Sequence, residues 1–196
     1  MNTLDHERIE NLCRIYGEIK HYMLMAEEFG FEQKTYLHPR LELYQAFDHV
    51  ISEYFLEQLD NKEAKLDGAM KHMYTAFFDV ADWTSMQIRN HVFMELKHFS
   101  SDAIKTAIPE YYSRTRPALD ELNGKITGIR EGKTFEKIEQ VDEYAQLLDK
   151  AYEYIKEIRR SQGSLIELRK KSRIKTMLGP IIGILGIIVA IIAIFL

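Results

Sequence analysis

Four prolines and ten glycines among 196 residues leave little to interrupt a helix, and no useful stretch alternates at the two-residue period of a strand. That scarcity predicts an all-α protein with long helices. One cysteine, Cys13, excludes an internal disulfide, and its place on the first helix predicts a small core side chain. The usual signatures of catalysis are missing as well. There is no Gly-x-Ser-x-Gly, no phosphate-binding glycine loop before a helix, no Cys-x-x-Cys and no Gly-x-Gly-x-x-Gly. The expectation therefore leans away from an enzyme, and no cofactor is expected.

The most informative absence is charge. Positions 177–196 read MLGPIIGILGIIVAIIAIFL, without one ionisable side chain. At 1.5 Å rise per residue, twenty helical residues span about 30 Å, the depth of a bilayer's hydrocarbon core. A soluble core helix of this length would carry a polar stripe. The expectation is a single-pass C-terminal transmembrane helix, inserted after synthesis, which makes the protein tail-anchored. Gly179, Gly183, Gly186, Ala190 and Ala193 recur at intervals of four and three along it, a seam of small residues of the kind that lets helices pack closely in lipid. The seam points to self-association.

Seven basic residues but a single acidic one, Glu167, lie between Arg159 and Lys175, whereas the chain as a whole has net charge −4. Cations beside a span read as positive-inside. They place the N-terminal body in the cytoplasm and the C-terminus across the membrane. Arg169, Lys170, Lys171, Arg173 and Lys175 are expected at anionic lipid headgroups. Nucleic acid is not favoured, because the neighbouring span already accounts for the charge. The start of the chain, MNTLDHERIEN, is acidic and amphipathic rather than a secretory signal.

The rest of the chain divides into an expected helical bundle over 1–158, a basic juxtamembrane segment over 159–176 and the anchor over 177–196. The bundle is expected to be antiparallel, with four to five helices. The first runs from about Leu4 to Phe29 and stops at Gly30. Pro39 opens the second, which continues to about Leu59. The third extends from Asp60 to about Phe99, with a break expected near Asp82–Ser85. Trp83, Phe77 and Phe78 are expected in the core. Ser100–Asp102 caps a fourth segment, which Pro109 and Pro117 divide. Asn123–Thr134 reads as weak helix, a fray or a turn. A last helix begins near Phe135 and could continue past Gly163. Helices two and three share Ala-x-x-His followed by aromatics, at Ala46–Phe55 and Ala69–Phe78, a weak repeat whose alanines would allow close antiparallel packing.

Two constellations could carry chemistry. His91, Glu95 and His98 lie on one helical face, and Glu95-x-x-His98 has the spacing of carboxylate-bridged metal sites in bundles. His49 with Glu53 and His72 with Asp79 could add ligands. A di-iron site also needs further glutamates inside the core, and pairs at helical spacing arise often in a chain this rich in charge, so solvated surface pairs are the plainer reading. Arg14 and His21 have an Arg-x6-His spacing that resembles the loose pattern of HEPN-type ribonucleases, which are also helical bundles. That resemblance implies an arginine and a histidine from two protomers holding phosphate and moving a proton. The residue after the arginine, often polar there, is Ile15, and no second motif of that family is present.

The functional expectation is a tail-anchored, homo-oligomeric membrane protein whose cytosolic bundle binds a protein partner of unknown identity. The alternatives are a membrane-perturbing or pore-forming effector assembled through the small-residue seam, and a helical-bundle metalloenzyme or HEPN-like ribonuclease at a membrane.

Overall fold

The computed structural model describes residues 3–30, 36–51, 62–131, 138–174, 176 and 178. The described residues form an all-helical bundle with no strand among them. Helix α1 spans Thr3–Phe29, α2 His38–Asp48, α3 Lys62–Leu96, α4 Ser101–Ala107, α5 Arg116–Glu131 and α6 Ile138–Arg160. A further helical run, α7, covers residues 162–174.

The 35-residue α3 is the pillar around which the others pack. Its buried positions include Leu66, Ala69, Tyr74, Phe77, Phe78, Ala81, Ile88 and Leu96, a band broader than the stripe of a surface helix. On α1, Leu12, Ile15, Ile19, Tyr22, Ala26 and Phe29 are buried at alternating intervals of three and four. On α6 the same alternation runs through Val141, Tyr144, Leu148, Ala151, Ile155 and Ile158. Two such seams against one central helix make the main core.

Contacts fix the directions. Arg8 meets Asp67 at 3.2 Å, the Thr84 hydroxyl lies 3.0 Å from the Tyr22 carbonyl, and the Phe29 and His91 rings are 5.0 Å apart. Both residue numbers rise together, so α1 and α3 run parallel. The pairs Tyr144–Asp82 and Arg159–His91 make α6 parallel to α3 as well. Helix α2 opposes them, since His38 meets Asp79 while His49 lies against His72 and Gly68. Helix α5 also runs against α6, from Thr115 beside Glu157 at its start. Successive long helices thus alternate in direction, and the three that build the core point the same way.

Helix α1 stops where expected, with the Gly30 N–H donating to the Ala26 carbonyl at 2.9 Å. Pro39 lies in the first turn of α2, where its missing N–H costs nothing. The expected continuation of α2 to Leu59 and the start of α3 at Asp60 lie outside the described residues beyond Ile51 and before Lys62. The break expected at Asp82–Ser85 does not occur. Asp82 and Thr84 have partners that leave the helix intact: Asp82 accepts from the Tyr144 hydroxyl, and the Thr84 hydroxyl lies 2.8 Å from the Val80 carbonyl.

The Ser100 hydroxyl caps α4, accepting from the Ala103 N–H at 3.2 Å. Pro109 and Pro117 divide this region as expected, with a single π turn, Tyr111–Thr115, between α4 and α5. The stretch from Asn123 does not fray. It is helical to Glu131, because Leu122 and Ile126 are buried against the core and that burial outweighs two glycines. Phe77 and Phe78 are buried as expected, whereas Trp83 is half-buried under Tyr36, with ring centroids 5.6 Å apart. Cys13 is exposed, a correction to its expected core position: it adjoins Leu12 but falls off the three–four seam of α1.

A turn at Ser161 interrupts the passage from α6 to α7. The Ser161 N–H donates to the Ile158 carbonyl at 3.0 Å, and its own carbonyl accepts from the Leu165 N–H at 3.1 Å. Leu165 then sits fully buried in a second small core with Leu96, Ile104, Ile108, Tyr111 and Ile158. The packed body therefore reaches Leu165. No helix formed by the described residues is long and apolar enough to cross a membrane. Residues 179–196, with the whole small-residue seam, lie outside the described set.

Candidate functional site

Helix α2 has an unusual surface. Only Pro39 and Ala46 are buried within it. Leu37, Leu41, Tyr44, Phe47 and Ile51 are all exposed, Tyr44 to 68% and Phe47 to 62%. Their intervals of four, three, three and four keep them on one side of the helix. Single exposed apolar residues are ordinary, but a run of five large ones along one face is the form of an interaction surface. Arg40 and Asp48 stand four residues before and after Tyr44, on the same face. Arg40 lies 3.4 Å from Glu27.

The other face of α2 is held by polar pairing with α3. His38 Nδ1 donates to Asp79 Oδ2 at 2.6 Å, and His72 Nδ1 to Glu42 Oε2 at 2.7 Å. The rings of His49 and His72 stack at 5.3 Å and 22°. The two Ala-x-x-His segments thus meet, with Ala46 and Ala69 both buried. These histidines fasten α2 and leave its apolar side outward.

The second candidate region is α7. Arg169, Lys170, Lys171 and Arg173 are exposed on it, and the Arg169 guanidinium lies 5.9 Å from the Phe99 ring centroid. Lys175 lies outside the described residues. Ile166, Ile174 and Leu178 are exposed between or beyond these cations.

Arg14 and His21 both face α6 from α1. Arg14 pairs with Asp142, and His21 Nε2 lies 3.9 Å from Asp149 Oδ1. Each side chain is matched to its own carboxylate across a helix interface. Beside them the Tyr22 hydroxyl lies 2.9 Å from the Ala145 carbonyl and 3.0 Å from Asp149 Oδ1. Burial, and then the Asp149 carboxylate, push its pKa far above the usual phenol value.

His91 and Glu95 do come together, at 3.5 Å, but His98 is exposed beyond the end of α3. What approaches His91 is a guanidinium: Arg159 Nε donates to His91 Nε2 at 3.4 Å and its Nη1 lies 2.8 Å from Glu28 Oε1. The Arg159 guanidinium also covers the Phe29 ring at 5.0 Å. Burial, with the Arg159 charge second, lowers the His91 pKa below the ordinary imidazole value. Glu95 meanwhile accepts from Gln162. A fixed cation thus occupies the approach that a metal ion would need. Among the described residues no group of three or more His, Cys, Asp or Glu side chains is placed to hold a metal.

Sequence reasoning missed the α2 stripe, although its spacing is legible. Leu43, Phe47, Val50 and Ile51 make an equally regular set that mixes half-buried and exposed positions, and only the position of α3 separates them. No protein family, no curated relative and no solved structure matches this chain.

Proposed function

We propose that the protein is a membrane-anchored helical bundle that associates with further copies of itself and serves as a protein-interaction scaffold, without catalytic activity of its own. The apolar stretch 177–196 supports the anchor, and the exposed cations of α7 support contact with anionic headgroups. The observation that carries the reading is the outward stripe of α2. It is symmetric about Tyr44. Laid antiparallel on a second copy, Leu37 meets Ile51, Leu41 meets Phe47 and Tyr44 meets itself. Arg40 then faces Asp48 of the other copy. Such self-complementarity is what a two-fold interface requires. Within the bilayer, the seam at Gly179, Gly183, Gly186, Ala190 and Ala193 offers a second contact of independent geometry.

The test is the size of the full chain in detergent, by sedimentation velocity. The native protein should form a defined oligomer. Tyr44→Glu with Phe47→Glu should reduce it, as should Gly183→Leu with Gly186→Leu. A monomeric native protein, or an oligomer untouched by both pairs, would remove the basis for self-association. Recovery of full-length protein from the high-speed supernatant of lysed cells, without detergent and without aggregation, would remove the anchor.

A further inference from the structure

Away from α2 and from the C-terminal segment, a cavity of about 500 Å³ opens between α3, the π turn and α5. Its volume is in the range of small-molecule sites. Ile88, Val92, Leu96, Leu119, Leu122 and Ile126 give it a long apolar wall. Ser85, Tyr111, Tyr112 and Asn123 add polar groups to the lining. The Ser85 hydroxyl is buried, with the residue 3% exposed, and among the described residues it has no hydrogen-bond partner. A buried hydroxyl without a partner costs roughly 1–3 kcal/mol, which a hydrogen-bonding ligand would recover.

Cations surround the opening. Arg89 lies one turn beyond Ser85 on the same face of α3, and Arg116 lines the cavity from the start of α5. Both are exposed, and among the described residues neither has an ion-pair partner. Lys97 also lines the cavity, its Nζ 2.8 Å from the Met94 sulfur. Asp120 is the only carboxylate among the lining residues, so the rim remains net positive. Exposed Phe93 stands at the same rim, available to cover an apolar occupant.

We propose that this cavity binds a free long-chain fatty acid. The acyl chain lies along the apolar wall between α3 and α5. Its carboxylate takes the Arg89 and Arg116 guanidinium groups and accepts from the Ser85 hydroxyl. A single tail fits a groove bounded by helices, and a planar carboxylate matches the donor fork of an arginine. A neutral ligand would leave the two guanidinium groups unused, and a short anion would leave the apolar wall wet.

The experiment uses the purified full chain and a palmitic acid bearing a diazirine near mid-chain. After photolysis, label should appear in peptides of α3 and α5, and excess oleate should compete it away while methyl oleate should not. Loss of one charge-assisted contact corresponds to about tenfold weaker competition, which Arg89→Gln and Arg116→Gln should each show. Both positions are exposed, so these variants should fold. Leu122→Trp should abolish labelling by filling the cavity. Equal competition by methyl oleate, labelling confined to residues 177–196, or unchanged competition in both arginine variants would overturn the proposal. Stronger competition by a lysophosphatidate than by oleate would overturn the carboxylate assignment.

Discussion

His49 and His72 lie ring on ring, 5.3 Å apart and 22° from parallel, and Gly68 is what lets them do so. A Cβ at Gly68 would come within 3.1 Å of two atoms of the His49 ring. Gly17, on α1, has nothing within 4 Å of the same added atom. Alanine in a helix interior is favoured over glycine by about 0.5–1 kcal/mol. Gly17→Ala should therefore raise stability by about that amount, measured by denaturant unfolding. Gly68→Ala should give a smaller gain or a loss, because the His49 ring must yield. Equal gains at both sites would show that the stack is loosely held.

The His91 environment predicts a pH effect with a definite sign. The residue is surrounded by the Arg159 guanidinium, the Glu95 and Glu28 carboxylates and the Phe29 ring. Its folded-state pKa is lowered, so the unfolded chain takes up the proton first as pH falls. The contribution to stability is complete above the unfolded value of about 6.5 and declines as pH drops through the folded value. Unfolding midpoints between pH 7.5 and pH 5 should fall more steeply in the native protein than in His91→Gln. Parallel curves would mean that the imidazole titrates alike in both states.

Leu165 joins α7 to the body. It is fully buried in the smaller core with Ile158 and Leu96. Leu165→Ala should cost about 2–5 kcal/mol if the site stays as a cavity. It should also speed proteolysis in α7 at Arg169 and Lys170. A loss of stability without faster cleavage would mean that the rest of the run is held by other contacts.

The proposed two-fold axis passes through Tyr44, which makes position 44 a point of cross-linking. In a Cys13→Ser background, Tyr44→Cys should give a covalent dimer under mild oxidation. Lys20→Cys, at an exposed position of α1, should not. Monomer in both cases would count against the antiparallel α2 contact.

Much of this fold is legible in the chain. The three–four spacing from Val141 to Ile158 identifies the last core helix and its inward side directly, whereas on the first helix Leu12, Ile15 and Ile19 face inward but the equally apolar Tyr16 and Leu24 are exposed and Tyr22, Ala26 and Phe29 carry the seam onward. Ser100, Pro109 and Pro117 punctuate the middle of the chain where the sequence says they should. The misreadings arise where tertiary contacts decide. Asp82 and Thr84 look like helix breakers until Tyr144 and Val80 are seen to take up their polar groups. Gly124 and Gly128 look like a fray until Leu122 and Ile126 find the core. Cys13 is small enough for either environment, so its type carried no information about its side. For the site, spacing alone brought His91 and Glu95 together correctly. It could not reveal that Arg159, 68 residues further on, completes their surroundings.

The shared direction of α1, α3 and α6 gives the molecule a head and a foot. All three backbones end at the pole from which the cationic run departs, so their partial negative charges gather beside it. A pair built around Tyr44 reverses one copy end for end. Its two feet then point away from each other, so on the proposed anchoring the apolar C-terminal segments would enter two facing bilayers more readily than one. Such a dimer would be a rivet between membranes, and clustering of vesicles that carry the protein would reveal it.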